Sequence, residues 1–502
     1  MNMAEVSLAD MTAAASAADG PVFVPPTAPR LGGVDPLGLR QTNFDLMDQV
    51  LPGLNNVARH IRPFVIVAWA WRRARHLAEK EDAAKIKVDL LMDFVDRTEV
   101  IYAWSQFLLD SNADLPGRQV LGALVRETHY EFGGPAWKKR REERRYSTAF
   151  TAAVNYGPGL KSLGWVDRHP VHLEILVPTA AAERALDAFE ELIADRLDHP
   201  AFSSLGSVSV SSDEVLSWAE AWSFDTVTDA EKEAAADMLF GTLAPIHRRL
   251  GGSLMLEAVA NASTADVELV RSTMAGAPSG FTPPTILEET AARWRKLQIR
   301  QLFRLTLETL FSWILRQLDE RSKTTEELVA AFLEEAGIDP DLRTAETWLE
   351  AGHLFEVGPT DLMNRITEVL ADASRSGLAA VIIDGLTFCI ANAPDAGEHF
   401  DRQDRLPLFR AKREAAAWED APAKEFARHV LETWVLAQHV YWSVGRGLAD
   451  ARARGRFILR LKVVMDEGGW TLAPGVPSAF TPRPTPDRLQ TALSLASECD
   501  LL

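Results

Sequence analysis

The stretch from Thr285 to about Leu318 limits what this chain can fold into more than any other. Thr285 and Glu288 have the spacing of a capping box, in which a hydroxyl and a carboxylate satisfy two N–H groups left open by a first helical turn. Trp294, Leu297, Leu305 and Leu315 follow, and Leu302, Phe311 and Ile314 widen the apolar stripe. Roughly nine turns with apolar residues round much of the circumference belong inside a domain, as its central pillar. A chain built on such a helix is mainly α with a large core. Composition agrees: 47% apolar and 25% charged residues are globular proportions, and 502 residues correspond to roughly three domains.

Helix signals recur on the N-terminal side. Asn55, Asn56 and Pro63 sit near the start of a helix through Leu77, since proline fits a first turn where its missing N–H costs nothing. A second helix spans about Ala84 to Leu109 and is broken by Ser111 to Asp114 and then Pro116-Gly117. A third covers Gln119 to Tyr130, with Gly133-Gly134-Pro135 ending the unit. The middle changes character. Val171 to Val177 partly alternates and follows a proline, which predicts a strand; a helix over Ala180 to Leu197, a strand over Leu205 to Val210 and a helix opened by Asp213 come next. Beyond the pillar, Thr324 and Glu327 repeat the capping-box spacing. A helix over Pro422 to Ala451 leads to two apolar runs, Phe457 to Val464 and Trp470 to Ala473, around Glu467-Gly468-Gly469, which read as a hairpin.

The predicted organisation is a disordered leader (1–32), an N-terminal helical domain (33–165) and a small α/β insert (166–225). A central helical domain (226–392), a linker or exposed loop (393–410) and a C-terminal helical unit with a hairpin and tail (411–502) complete it. The helix and hairpin at the C-terminus have the order of a winged-helix module, an analogy of fold alone.

Composition also excludes classes. Cys389 and Cys499 are the two cysteines, far apart, so neither a disulfide framework nor a thiolate metal cluster is encoded, and a reducing, cytoplasmic setting is expected. Phe64 to Trp71 is the most apolar helical stretch and runs into Arg72 and Arg73, too short for the roughly 20 residues of a spanning helix. Met1 to Pro29 lacks the basic start and apolar run of a signal peptide. No membrane contact and no cofactor are expected. At a formal charge of −18 the chain is repelled by nucleic acid overall, so any such contact falls to a local basic patch.

Motifs for chemistry fail one by one. None of the 12 lysines follows a glycine, so the phosphate-cradling loop is missing, and Gly157 to Ser162 only imitates it. None has an acidic residue or a histidine two positions before it, which removes common metal-nuclease and phospholipase-D-type elements. Neither a Gly-x-Ser-x-Gly elbow nor His-Glu-x-x-His occurs. His172-Leu173-Glu174 matches half of a zinc deaminase pattern without its thiolates; on a strand, His172 and Glu174 would share a solvated face, with His169 nearby. Val381 to Gly385 resembles the apolar strand whose Asp holds magnesium in many ATPases. Without a phosphate loop it reads as a buried strand or helix end turning at Asp384-Gly385. The metal-site expectation is therefore none. Trp69, Trp71, Trp104, Trp218, Trp222, Trp294 and Trp313 fall on predicted helices, where core packing explains them.

Three basic clusters remain. Arg59, His60, Arg62, Arg72, Arg73, Arg75 and His76 flank an apolar helix. Lys138, Lys139, Arg140 and Arg141, with Arg144 and Arg145, lie between Trp137 and Tyr146. Arg446, Arg452, Arg454, Arg456, Arg460 and Lys462 lead into the hairpin. Charge runs are ordinarily solvated faces paired with nearby acids. The functional reading is contact with a nucleic-acid backbone, strongest for the third cluster.

Three stretches carry a resemblance: Asp35-Pro36-Leu37-Gly38-Leu39-Arg40, the run from Leu51 to Phe64, and Leu163-Gly164-Trp165-Val166-Asp167. Together they resemble uncharacterised helical proteins encoded in bacterial anti-phage defence clusters, over about the first third of the chain. The resemblance implies a role in antiviral defence within a multi-protein complex, and supplies no catalytic residue. The expectation is a non-catalytic scaffold or sensor subunit that binds other protein subunits and, through its basic clusters, DNA. The alternatives are a hydrolase or nuclease with dispersed catalytic residues, and a toxin-like effector.

Overall fold

A computed structural model describes residues 35–82, 87–115, 121–122, 124–143, 159–276, 280–350, 354, 357–398, 401–454 and 459–502. The protein is mainly α. Nineteen helices and three two-stranded antiparallel sheets are defined among the described residues. The chain divides into two compact units that alternate along the sequence. The first takes residues up to Leu46, Ala275–Thr282 and Ala292–Thr485; the second takes Met47–Met274, Pro283–Ala291 and Pro486–Leu502.

The described chain begins in the first unit with Asp35, whose carboxylate accepts the amides of Leu39 and Arg40 and so starts α1 (Arg40–Met47). The second unit follows. Its centre is α2 (Arg62–Asp82) packed on α3 (Val88–Leu109). Pro63 lies in the first turn of α2, as its fixed φ and missing N–H favour. Next come β1 (His129–Phe132), α4 (Pro135–Glu143), β2 (Val166–Arg168), β3 (Leu176–Pro178), α5 (Glu183–Leu192) and α6 (Pro200–Ser203). β4 (Val208–Ser211), α7 (Ser212–Ala219), α8 (Asp229–Leu239), α9 (Ile246–Ala262) and α10 (Val267–Met274) complete the run. β1 pairs with β4, and β2 with β3. Trp69, Trp104, Trp218 and Trp222 are buried in this unit. The indole N–H groups of Trp69 and Trp222 donate to Glu190 and Ser105 at 2.8 and 2.9 Å, so burial leaves neither unsatisfied.

In the first unit the pillar is α11 (Glu288–Gln317), preceded by a 3-10 turn over Thr285–Leu287. Pro284 is the capping residue of that turn and no side chain caps it, so the expected box at Thr285 and Glu288 does not form. At α12 (Thr325–Ala336) the Thr324–Glu327 box does form in both directions. The unit continues through α13 (Thr344–Thr347), α14 (Pro359–Ala371), α15 (Leu378–Ala391), α16 (Leu408–Trp418) and α17 (Ala423–His429). Val430–Ala437 winds as a wider π segment and runs straight into α18 (Gln438–Arg454). β5 (Val463–Asp466) and β6 (Gly469–Leu472) then form the expected hairpin. One apolar cluster holds these elements together, including Leu302, Phe311 and Ile314 of α11, Ile382 and Leu386 of α15, and Trp434. Finally α19 (Leu489–Glu498) returns to the second unit.

Three local expectations change. Val171 to Glu174 are exposed turn residues; only Leu176–Pro178 forms a strand, because its partner β2 is three residues long. Within Gln119 to Tyr130, Leu124–Arg126 is a 3-10 turn and His129 and Tyr130 belong to β1; Gln119 itself lies outside the described residues. Val381 to Gly385 is neither a strand nor a helix end, since it sits in the middle of α15, where Gly385 lies against the Thr306 side chain of α11. A short apolar run has no period that separates strand from buried helix, and helix packing decides it here.

Candidate functional site

Eight of the cations singled out in the sequence are paired within the fold among the described residues. In the first cluster, Arg62 is buried against Glu231 at 3.2 Å and donates to the carbonyl of Thr226. Burial lowers the affinity of the Arg62 guanidinium for its proton and raises that of Glu231, while each partner's charge opposes the other's shift. Arg72 reaches Glu183, Asp187 and Glu190 of α5 at 2.6–2.9 Å. Arg73 donates to the carbonyls of Phe202 and Leu197, Arg59 pairs with Asp114, and Arg75 with Glu79. His60 stacks on Phe224, and its Nδ1 meets Glu498 at 2.5 Å.

In the second cluster, Arg141 pairs with Asp93 and Asp96 at 3.1 and 2.8 Å. Burial holds the Asp96 carboxyl up at about 6 even so. Trp137 is buried and donates to Asp93, whereas Lys138 and Lys139 are exposed. The Arg140 side chain, Arg144, Arg145 and Tyr146 lie outside the described residues. In the third cluster, Arg460 pairs with Asp450 at 2.6 Å, and the Lys462 ammonium lies 5.5 Å from the Phe480 ring centre, half-buried. Arg446 and Arg452 are exposed on α18; the Arg454 side chain and Arg456 lie outside the described residues.

The three resembling stretches are internal clasps. In the first, the Pro36 carbonyl accepts from the His439 ring, the Leu37 carbonyl from Gln438, and Gly38 lies beneath the Trp442 indole. In the second, Asn55 receives the amides of Val57 and Ala58, Asn56 receives that of Arg488, and the amide of Ile61 donates to Glu498. In the third, Trp165 and Val166 are buried at the start of β2. His169 and His172 lie in the β2–β3 turn, where His169 Nδ1 accepts two backbone amides; Glu174 is exposed there. Of the Gly157 to Ser162 stretch, Gly157 and Pro158 lie outside the described residues, and Ser162 donates to the carbonyl of Gly159. Among the described residues, no group of three or more His, Cys, Asp or Glu side chains is arranged to hold a metal ion. No described helix is long and apolar enough to cross a membrane.

A second set of buried charges escaped the sequence reading. Arg300, Arg304 and Glu308 recur every fourth residue on α11, and all three are buried. Arg304 bonds Glu308 at 2.6 Å and the Arg483 carbonyl. Burial pushes the Glu308 carboxyl up to about 7 against the pull of Arg304. Arg300 donates to the carbonyls of Leu406 and Arg405 and is pushed down to about 10 by burial. On α16, Glu414 collects donors from Arg410, His429 and Trp434 and is held below the usual carboxylate range by those bonds, which outweigh its burial.

The open site lies at the C-terminal end of α11. A cavity of about 540 Å³ is bounded by Trp313, Arg316 and Glu320, by Lys323 and Glu335, and by the Ser374–Gly377 loop before α15. A second of about 460 Å³ shares Arg316, Glu320 and Arg375 and extends to Asp319, Asp372 and Ser478. The loop is built by short-range bonds. Asp372 accepts the Ser374 amide, and Arg375 and Gly377 adopt left-handed φ of 49° and 79°. A non-glycine residue in that region is uncommon, and here it turns the Arg375 guanidinium toward Ser312 and Thr481. Glu335 is occupied by the Trp313 indole at 2.7 Å and the Ala379 amide at 3.4 Å. Sequence reading missed this site because its cations come singly, from elements far apart in the chain.

Set against protein-family models, curated proteins and solved structures, the chain matches none.

Proposed function

We propose that this protein is a non-catalytic scaffold or sensor subunit of a bacterial multi-protein assembly, of the anti-phage kind that its N-terminal third resembles. The observation that carries the reading is the outer face of α18. Tyr441, Val444 and Leu448, at i, i+3 and i+7, are 58%, 36% and 42% exposed, while Ser443, Gly447 and Ala451 face inward. Arg452 continues the same stripe one turn on. An apolar line with an arginine at its end is the kind of surface that a protein partner covers, since aromatic and arginine anchors dominate such contacts. The buried ion pairs support a structural use of the charged residues, because they hold elements of each unit together rather than face a cleft.

A second reading, contact with a DNA backbone, is favoured by the exposed Lys138, Arg446 and Arg452. The test is affinity purification from the native host of the wild type and of Val444→Glu/Leu448→Glu. Stoichiometric recovery of another subunit by the wild type, lost in the double variant, supports the proposal; recovery of the same subunit by both refutes this face. Nucleic acid retained by the wild type and lost on reversing Arg446 and Arg452 would favour the second reading.

A further inference from the structure

Arg316 and Arg375 are the two arginines in the lining of the two cavities at the end of α11. Arg316 makes no hydrogen bond or ion pair among the described residues, although it is on the pillar helix with acids nearby. Arg375 bonds only the hydroxyls of Ser312 at 3.2 Å and Thr481 at 3.5 Å. Its affinity for a proton is lowered by burial and then by the Arg316 charge, so the two guanidiniums repel each other. Lys323 completes the set, with its ammonium on the Gln317 amide oxygen at 2.6 Å and no carboxylate. Other cations of the structure, such as Arg72, Arg141, Arg271 and Arg460, pair directly with acids.

Like charges gathered on one cavity wall, none of them in an ion pair with the acids that share the lining, repel one another in the empty site, and an oxyanion relieves that repulsion. Two guanidinium forks and an ammonium fit phosphate oxygens, which accept several charge-assisted bonds at once. The nearby acids narrow the choice. Glu335 and Asp372 are turned to local donors, whereas the exposed Asp319 and Glu320 belong to the lining and their carboxylates make no hydrogen bond or ion pair among the described residues. Carboxylates there repel an extended polyanion and spare a compact one. A volume of about 540 Å³ is in the range that small-molecule sites occupy.

We propose that the cavity between the end of α11 and the Ser374–Gly377 loop binds a small phosphate-bearing molecule, held by Arg316, Arg375 and Lys323. It would be the ligand of the sensor function proposed above and rests on that reading for its role, though not for its binding.

The experiment is isothermal titration of the full chain with inorganic pyrophosphate and, separately, with a 20-base-pair DNA duplex. Arg316→Gln, Arg375→Gln and Arg316→Lys are compared with the wild type. Arg316 is exposed, so its replacement leaves folding intact, which circular dichroism checks. The expected result is saturable pyrophosphate binding that weakens as salt rises, falls about 10-fold or more in either glutamine variant, and is partly retained in Arg316→Lys. Absence of binding to the wild type, equal affinity in the glutamine variants, or Arg316-dependent binding of the duplex alone would overturn the proposal. None of these outcomes touches partner capture through α18, so this assignment and the scaffold reading fail separately.

Discussion

Lowering the pH should loosen the first unit through one side chain, His439. Its ring is 1% exposed and sits 4.5 Å from the Phe311 ring. Nδ1 lies 2.9 Å from the Pro36 carbonyl and Nε2 accepts the Lys462 amide at 2.9 Å. The geometry fixes the neutral tautomer: Nδ1 must donate, and Nε2 must keep its lone pair. A second proton would set a charged N–H against the Lys462 N–H in an apolar enclosure. Burial accordingly lowers the imidazole from 6.5 to about 4, with the Pro36 bond opposing and the Lys462 charge assisting.

The sign follows from proton counting. Between about 4 and 6.5 the unfolded chain binds the extra proton and the folded chain does not, so stability is whole above 6.5 and drains away as pH falls toward 4. With about 1.4 kcal/mol for each pH unit of separation, the loss is roughly 2 kcal/mol at pH 5 and roughly 3 kcal/mol at pH 4. Urea unfolding, followed by circular dichroism at pH 7, 6, 5 and 4, measures it for the wild type and for His439→Gln, which cannot titrate. The wild type should start more stable and converge on the variant as the solution is acidified. Parallel curves across that range would refute the reasoning, because every other acid-sensitive group is common to both proteins.

Two further substitutions test the buried contacts. Arg62→Met leaves Glu231 charged and sealed, and should cost about 3–5 kcal/mol in urea unfolding. Adding Glu231→Gln keeps the cap on Thr228 while removing the charge, so the double variant should recover most of that loss. Gly38→Ala meets two penalties, a left-handed φ of 73° and a methyl directed into the Trp442 indole. Gly276→Ala has nearly the same φ of 71° with open space around it. The first should lower the melting temperature clearly more than the second, whose cost is the backbone's about 1–2 kcal/mol alone.

The elements that the sequence foretold are those whose signal is local and repeated. The pillar needed only its apolar stripe, the Thr324–Glu327 box only two side chains, and the hairpin only a Gly-Gly turn between apolar runs. Where a partner decides the outcome, reading failed. Val171 and Leu173 alternate like a strand, but β2 pairs with Leu176–Pro178 and leaves them in solvent. Arg300, Arg304 and Glu308 carry the spacing of a wet helix face, and only the carbonyls of Leu406, Arg405 and Arg483 show why they lie inside. The cavity was illegible for the same reason: Arg316 and Arg375 meet through the fold, and neither belongs to a charge run. The basic clusters were visible as clusters, but their acidic partners were not.

The clasp of α19 on the second unit has a consequence for how the protein is made. Glu498 binds the Ile61 amide across 437 residues of chain, and Asp487 pairs with Arg271. On the ribosome, residues 47–274 emerge long before these counterparts exist. Until residues 487–498 are released, His60 lacks Glu498 and Arg271 has only its neighbour Glu268. The first unit is synthesised in the meantime, so the later-made domain can be complete while the earlier one still waits. Such an order of assembly is the reverse of synthesis, and it exposes the unfinished unit to chaperones and proteases for the time needed to translate the rest.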